Sequence, residues 1–184
     1  MLFVARHGET DWNLEHRLQG RTDIPLNENG RNQMRQAGQA LRQQEFQVDL
    51  IVCSPLKRAS ETAAILGESI GYAGEILADE DLLERSFGTA EGLLITPELD
   101  VTDPRYGMES AEHLCGRIQT VLDRYGADPD KRVLMVTHGA FIMATMDYLA
   151  GNSLRTNYQT LPKQGNPVCI SGHVDPENFD YALK

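Results

Sequence analysis

Short, almost fully apolar runs alternate along this chain with segments whose apolar residues recur at helical spacing. The apolar runs cover residues 1–5, 48–53 and 133–137. The helical segments cover residues 34–41, 59–70 and 111–125. A short apolar run bounded by polar residues is typical of a strand buried on both faces, which needs helices above and below it. The alternation therefore predicts an α/β fold, a three-layer α/β/α sandwich with a largely parallel central sheet.

Capping residues mark where several of these elements begin and end. Asn27 is a suitable N-cap for the helix that follows it. Ser54 with Pro55 predicts the start of the next helix, because serine caps helices and proline is favoured in the first helical position. Gly71 and Gly151 stand where a glycine commonly ends a helix. Element boundaries are therefore predicted as well as element types.

The rest of the chain contains one further helix, two short strands and one irregular stretch. The helix is predicted over residues 139–149, and the strands over residues 168–174 and 179–183. Residues 91–106 contain two prolines and four acidic residues, so we expect an excursion over one end of the sheet. This excursion forms a short cap region over residues 91–108.

Composition restricts the partners of the chain. The 184 residues, which predict a single domain over 1–184, carry a formal net charge of −10 and no lysine- or arginine-dense run. This argues against nucleic acid and anionic membrane surfaces as partners. Only five residues precede Arg6, too few for a signal peptide or a membrane span, so we expect a cytoplasmic protein. Cys53, Cys115 and Cys169 lack CxxC spacing, which disfavours a disulfide framework and a zinc ribbon.

Two His-Gly pairs directly follow two of the predicted strands. Arg6, His7 and Gly8 follow the first apolar run, whereas His138 and Gly139 follow the third. Ligands of open parallel sheets bind outside the carboxyl ends of the strands, so both imidazoles are expected to face one crevice. A single His-Gly pair would equally fit a half-buried histidine bonded to a neighbouring loop. The matched positions of the two pairs favour a functional site.

Arg58 lies in the first turn of the helix after the second apolar run, which places it near the same edge of the sheet. Its guanidinium, like that of Arg6, presents paired donors that fit phosphate oxygens. Taken alone, Arg58 would fit a solvated position on an exposed helix face better than a functional one, and a solvated position is how we interpret its neighbour Lys57. Together with the two histidines, the arginines predict a phosphate site and a small anionic phosphorylated ligand.

Phosphoryl transfer needs a nucleophile, positive charge beside the phosphoryl oxygens and a proton for the leaving group. A neutral imidazole is a competent nucleophile near neutral pH, and nearby guanidinium groups favour its neutral form. A carboxylic acid would supply the proton. The acidic candidates are Asp79, Glu80, Asp81, Glu84 and Glu91. These side chains also fit a solvated acidic face, and residue chemistry does not choose among them.

Several motifs occur in an order and spacing that match a known family. They are Arg6-His7-Gly8-Glu9-Thr10 with Asn13; Gln19-Gly20-Arg21 with Asp23, Pro25-Leu26 and Gly30; Ser54-Pro55-Leu56-Lys57-Arg58-Ala59 with Glu61-Thr62-Ala63; Leu83-Glu84 with Phe87-Gly88 and Glu91-Gly92; and Val136-Thr137-His138-Gly139. In combination they resemble the histidine phosphatase superfamily, the phosphoglycerate mutase-like proteins, over roughly residues 2–150. Near the C-terminus only Asn166-Pro167-Val168 resembles the pattern.

The resemblance implies a role for each matching residue and a phosphoglycerate mutase-like fold. His7 is similar to the nucleophile that becomes phosphorylated, Glu84 to the proton donor, and Arg6, Arg58 and His138 to the phosphate ligands. The residues predicted to bind the rest of the substrate are Gly8, Asn13, Gln19, Gly20, Arg21 and Gly139. The family needs no metal or organic cofactor, and the five histidines of this chain show no ligand-like spacing.

The branch of the family follows from what surrounds these motifs. The mutases carry a longer insertion with paired arginines, whereas here sixteen residues separate Gly92 from Glu109, with Arg105 as their single base and Ala90 where related proteins often have an aromatic residue. We therefore predict a phosphomonoesterase of the histidine acid phosphatase type. The alternatives are a cofactor-dependent phosphoglycerate mutase and a non-catalytic module that binds a phosphorylated ligand. The sequence does not indicate an oligomeric state.

Overall fold

Five strands in the described part of the chain form one sheet. The computed structural model describes residues 1–154, 164 and 168–170. The strands are β1 Leu2–Arg6, β2 Leu50–Cys53, β3 Ile76–Ala78, β4 Val133–Thr137 and β5 Val168–Cys169. Their order is β3-β2-β4-β1-β5, with β1 to β4 parallel and β5 antiparallel to β1. The prediction of a largely parallel sheet is confirmed.

Helices connect the strands and cover both faces of the sheet. They are α1 Asp11–Leu14, α2 Glu28–Gln43, α3 Lys57–Ile70, α4 Ala111–Gly126 and α5 Gly139–Leu149, with single 3₁₀ turns at Glu80–Leu82, Gly88–Ala90 and Pro104–Tyr106. The predicted N-cap is confirmed, since the Asn27 side chain accepts from the Gly30 N–H at 2.8 Å. Gly71 ends α3 with φ +74°, and Gly151 follows α5 with φ +70°. Among the described residues no helix is long and apolar enough to cross a bilayer.

The predicted capping of α3 by Ser54 is wrong. The helix begins at Lys57, and Leu56 occupies the N-cap position without a side-chain hydrogen bond. The Lys57 N–H is bound instead by the Asp23 carboxylate at 2.8 Å. The reason is that Ser54 is engaged elsewhere, with its N–H on the Val136 carbonyl and its hydroxyl 2.8 Å from His138 Nε2. Ser54 therefore belongs to the carboxyl edge of the sheet rather than to the helix.

The alternation of side chains along β1 divides the core into two layers. Leu2 and Val4 join the cluster that packs under α4 and α5, whereas Phe3 and Ala5 join the cluster under α2 and α3. All five residues of β4 are buried. Each large apolar side chain buried in this way contributes roughly 1.5–3 kcal/mol. The predicted three-layer α/β/α sandwich is confirmed.

Three segments differ from the sequence prediction. Strand β3 and helix α1 were not predicted, because each has only three or four residues and neither carries a fully buried apolar run. Strand β5 covers the start of the strand predicted over 168–174, while the strand predicted over 179–183 lies outside the described residues. The predicted single domain spans residues 1–184, which include residues outside the described part of the chain, so it stays a prediction.

Burial raises the pKa of the free Cys53 thiol to about 11.

The start of α2 packs directly against the loop after β1, and this contact requires a glycine. A Cβ on Gly30 would lie 2.1 Å from the Glu9 carbonyl oxygen, whereas a Cβ on the exposed helical Gly116 would meet nothing within 4 Å. We expect Gly30→Ala to lower the free energy of unfolding by about 1–3 kcal/mol. Gly116→Ala, the matched control, should raise it by about 0.5–1 kcal/mol. Urea denaturation measures both, and unchanged stability of G30A would contradict this close packing.

Candidate active site

The register between β1 and β4 brings the two histidines together. Arg6 pairs with Thr137, so the residues that follow both leave the sheet at the same edge. The His7 N–H donates to the Thr137 carbonyl at 3.0 Å, and the His7 and His138 rings lie 5.2 Å apart between centroids. Both side chains are buried. The two imidazoles therefore lie side by side at this edge of the sheet, and His7, but not His138, lines the cavity described below.

Local contacts set the tautomer and charge of His7. Its Nδ1 lies 2.7 Å from the Gly8 carbonyl oxygen, which only accepts hydrogen bonds, so Nδ1 carries the proton and Nε2 keeps a lone pair. Burial holds the pKa of His7 well below its usual value, and the charges of Arg58 and Arg6 lower it further. The imidazole is therefore neutral, with its lone pair on Nε2.

One ring nitrogen of His138 forms a hydrogen bond, and the other has no partner among the described residues. Nε2 lies 2.8 Å from the Ser54 hydroxyl, whereas the buried Nδ1 has no hydrogen-bond partner in the described part of the chain. When the hydroxyl donates to Nε2, Nδ1 must carry the proton. Burial, followed by the charge of Arg58, keeps the pKa of His138 well below its usual value. This neutral ring can donate one hydrogen bond to an anion.

Arg58 is fully buried and holds the loop that faces it. Its Nη1 donates to the Thr22 carbonyl at 2.8 Å and its Nη2 to the Gly20 carbonyl at 2.7 Å. Its Nε has no hydrogen-bond partner among the described residues. Burial lowers the pKa of Arg58 to about 10, and burial also lowers that of Arg6 against the opposing charge of Glu84. Arg58 therefore remains cationic at neutral pH.

The loop that receives Arg58 is shaped by Gly20 and fixed by Glu91. Gly20 has φ +54°, and a Cβ there would lie 2.1 Å from Glu91 Oε1. The Glu91 carboxylate accepts hydrogen bonds from the N–H groups of Arg21 at 3.0 Å, Thr22 at 2.9 Å and Phe87 at 3.1 Å. Glu91 is therefore committed to the framework of the loop.

Glu84 is a buried acidic side chain at the site. Its carboxylate accepts from the N–H groups of Arg85 and Phe141, each at 2.9 Å, and of Ala140 at 3.0 Å. Burial raises the pKa of Glu84, although these hydrogen bonds and the charge of Arg58 act in the opposite direction. Of the five acidic residues that the sequence left open, Glu84 alone lines the cavity. A buried carboxyl group with a raised pKa is suited to donate a proton.

A cavity of about 1080 Å³ opens above these groups. Arg6, His7, Arg58 and Glu84 line it. The predicted substrate-binding residues that also line it are Asn13, Gln19, Gly20 and Gly139. The apolar part of its wall includes Trp12, Leu18, Phe87, Ile95, Leu99 and Val101. The predicted cap region therefore supplies part of one wall, and the cavity has room for a group much larger than phosphate.

Two predicted substrate-binding residues lie outside the lining. Gly8 packs under the site, where its N–H donates to the Thr62 hydroxyl at 3.1 Å. Arg21 donates from Nε to the Glu84 carbonyl at 3.2 Å and from Nη2 to the Glu109 carboxylate at 3.3 Å. Both residues contact the framework around the site. Ser54 was missed as a site residue because its position after a strand and before proline is typical of a helix cap.

The polar side of the cavity is an ordered network. The Thr10 hydroxyl donates to Gln19 Oε1 at 2.9 Å, and the Thr10 side chain caps α1 by accepting from the Asn13 N–H. Gln164 Nε2 donates to Asn13 Oδ1 at 3.3 Å. Within the described ranges, no group of three or more histidine, cysteine, aspartate or glutamate side chains is arranged to hold a metal ion.

Comparison with known proteins agrees with this geometry. The sequence model of the histidine phosphatase superfamily (branch 1) matches residues 2–171. The chain is 41% identical over 155 residues to an uncharacterized phosphatase, PhoE, of Bacillus subtilis (strain 168), covering 80% of this chain and 76% of that protein. It is 33% identical over 177 residues to a 2,3-bisphosphoglycerate-dependent phosphoglycerate mutase of Methylorubrum populi, covering 85% and 82%.

A solved structure shares the fold over most of both chains. The mycobacterial glucosyl-3-phosphoglycerate phosphatase, described in complex with VO3, superposes with a TM-score of 0.74 at 28% identity and covers 90% of each chain. The matched residues of the family model include both His-Gly pairs and the Glu84 segment. The resemblance noted from the motifs is confirmed, and this chain belongs to the histidine phosphatase superfamily, branch 1.

Proposed function

We propose that this chain is a phosphomonoesterase that hydrolyses a small phosphorylated metabolite through a phosphohistidine on His7. The observation that carries the proposal is the neutral His7 ring, fixed with Nε2 as its lone-pair nitrogen beside Arg6 and Arg58. The phosphatases among its relatives support the reaction class. Four of the proposed catalytic residues, Arg6, His7, Arg58 and Glu84, line one cavity, and His138 lies against His7. A module that only binds phosphate would not need a proton donor beside the nucleophile.

In the first step the substrate phosphoryl group binds to Arg6 and Arg58, and the unsatisfied His138 Nδ1 donates to one of its oxygens. His7 Nε2 attacks phosphorus, a nitrogen–phosphorus bond forms and the bond from phosphorus to the ester oxygen breaks. The leaving oxygen takes the proton of Glu84, which becomes a carboxylate. The alcohol product then departs.

In the second step a water molecule attacks the phosphohistidine. Glu84, now ionised, removes a proton from this water while the nitrogen–phosphorus bond breaks. Inorganic phosphate leaves, His7 returns to its neutral form and Glu84 is protonated again. The same carboxyl group therefore serves as acid and then as base.

The pairing of Arg17 and of Arg105 with groups of their own surroundings favours hydrolysis over mutase chemistry. A mutase must retain a doubly phosphorylated intermediate, which requires positive charge around the second anionic group. Arg17 lines the cavity but is bonded to Glu15 at 2.6 Å and to the Gly92 carbonyl at 2.9 Å. Arg105 is paired with Asp103, and its side chain is 84% exposed. Neither cation is directed to a second phosphate.

Two finer statements belong to the same proposal. We propose the acid phosphatase type, because a low pKa of His7 and a raised pKa of Glu84 keep both groups in their active forms at mildly acid pH. We propose a cytoplasmic location, which the free thiols of Cys53 and Cys115 support.

The reaction class is tested by product analysis. We expect the protein to release inorganic phosphate from p-nitrophenyl phosphate and from 3-phosphoglycerate, and His7→Ala to release none from either while it stays folded. The physical reason is that His7 Nε2 is the atom that attacks phosphorus in the proposed first step. Conversion of 3-phosphoglycerate to 2-phosphoglycerate without free phosphate would establish the mutase alternative, and substantial turnover by H7A would remove His7 from its role.

The proton donor is tested with leaving groups of different basicity. Glu84→Gln should reduce kcat/KM for an alkyl phosphate by about 10²–10⁴-fold, and much less for p-nitrophenyl phosphate, whose leaving group needs no proton. The decline of alkyl phosphate turnover as pH rises through the raised pKa of Glu84 should also be missing in E84Q. Glu91→Gln is the matched control and should affect both substrates equally. A selective effect in E91Q instead would identify Glu91 as the donor.

The Ser54 hydroxyl should matter for anion binding. A Ser54 hydroxyl that donates to His138 Nε2 leaves the ring proton on Nδ1, where it can bind an anion. Ser54→Ala is therefore expected to weaken competitive inhibition by inorganic phosphate by about tenfold, the effect of losing roughly 1.4 kcal/mol. Ser60→Ala is the control, since the exposed Ser60 hydroxyl donates only to the Lys57 carbonyl of its own helix. Unchanged inhibition of S54A by phosphate would show that the tautomer is fixed without this contact.

A further inference from the structure

A buried ion pair lies behind the proposed proton donor and outside the cavity lining. Glu109 and Arg117 meet in a forked geometry, with Nε to Oε1 at 2.9 Å and Nη2 to Oε2 at 2.8 Å. Their side chains are 5% and 8% exposed. Removing two charges from water is costly and is offset only by good geometry and further hydrogen bonds. Stability alone therefore does not explain why two charged side chains are buried here.

Arg117 contacts both the backbone that precedes Glu84 and Phe141, which binds the Glu84 carboxylate. Its Nη1 donates to the Asp81 carbonyl at 2.7 Å and to the Leu83 carbonyl at 2.9 Å, immediately before Glu84 in the chain. Its guanidinium also lies over the Phe141 ring, 5.4 Å from the centroid. Phe141 in turn donates its N–H to the Glu84 carboxylate. One side chain therefore links the backbone that carries Glu84 with the helix that binds its carboxyl group.

Glu109 holds the other side of the same segment. Its carboxylate accepts from the Ser86 N–H at 3.3 Å, two residues after Glu84. It also pairs at 3.3 Å with Arg21, whose Nε donates to the Glu84 carbonyl. The Glu109 carbonyl accepts from Arg85 Nε at 3.0 Å. Contacts centred on Glu109 therefore reach the three consecutive residues 84–86.

We infer that the Glu109–Arg117 pair positions Glu84 for proton transfer to and from the reacting oxygen, so that both are positioning residues of the enzyme. The inference rests on the proposed function, in which Glu84 is the acid and base. A displacement of about 1 Å in a group that transfers a proton costs up to roughly 10²-fold in rate. The pair thus acts on the step in which the leaving oxygen is protonated.

The charge state of the pair fits this role. Burial would raise the pKa of Glu109, but hydrogen bonds from Arg117 and His113 and the charges of Arg117 and Arg21 lower it to about 2. Glu109 therefore stays ionised throughout the mildly acid range proposed for activity. The charge of Glu109 therefore does not change when Glu84 gains or loses its proton.

Glu109→Gln tests the inference by removing one charge while keeping the shape of the side chain. We expect kcat/KM for an alkyl phosphate to fall at least about tenfold more than kcat/KM for p-nitrophenyl phosphate, because only the former needs the proton of Glu84. The decline of alkyl phosphate turnover at high pH should also shift in E109Q. These two readouts separate positioning from a general loss of folded protein.

A double variant addresses the case in which E109Q, with Arg117 left unpaired, does not fold. Replacing a buried pair by apolar side chains of similar size is often neutral for stability. We expect E109M/R117M to unfold at a temperature near that of the wild-type protein and still to show the selective loss with the alkyl phosphate. Arg117→Lys, which keeps the charge but loses the fork, should show a smaller loss of the same kind.

Arg124→Gln is the matched control, since Arg124 pairs with Asp79 and Asp81 and ties the same segment to α4 farther from Glu84. It should lower thermal stability without changing the ratio between the two substrates. An equal loss for both substrates in folded E109Q or E109M/R117M, or no loss, would overturn the inference. Failure of the proposed function itself would be seen separately, as an equal loss for both substrates in E84Q.

Discussion

The parallel pairing of β1 with β4 is the contact on which the site depends. It fixes the register in which Arg6 lies beside Thr137, and so it delivers His7 and His138 to neighbouring positions. The hydrogen bond from the His7 N–H to the Thr137 carbonyl extends this pairing one residue beyond the strand. A slip of one residue would turn the side chains of β1 to the opposite faces of the sheet. The backbone pairing of β1 with β4 therefore determines where His7 and His138 lie relative to each other.

The site concentrates groups that are costly to bury. Arg58 is fully enclosed, and burial disfavours the charged forms of both imidazoles and of Glu84. The protein offsets part of this cost with backbone groups: carbonyls for Arg58, and N–H groups of α5 for the Glu84 carboxyl. Among the described residues, Arg58 Nε and His138 Nδ1 have no hydrogen-bond partner, and these are the donors that the proposed anionic ligand would use.

The sequence predicted the elements that apolar periodicity specifies. It gave α5 over 139–149 and the buried strands to within a residue or two, and the matched His-Gly pairs indicated which edge of the sheet carries the site. It did not predict β3, because a three-residue edge strand with exposed side chains has no periodic signal. The cap at Ser54 was wrong, since a local capping rule cannot anticipate a partner 84 residues away. The roles of Arg21 and Glu91 in the framework depend on contacts about 70 residues apart along the chain.

The central claim is that phosphate passes through His7 as a covalent intermediate. Acid-free denaturing quench within the first turnover, followed by peptide mass spectrometry, measures it most directly. The account predicts one phosphate on the peptide that contains His7, stable to alkali and lost in acid, at a level that decays as substrate is exhausted. Phosphate bound to another residue, or a rapid burst of product with no protein-bound phosphate at any time, would contradict the account.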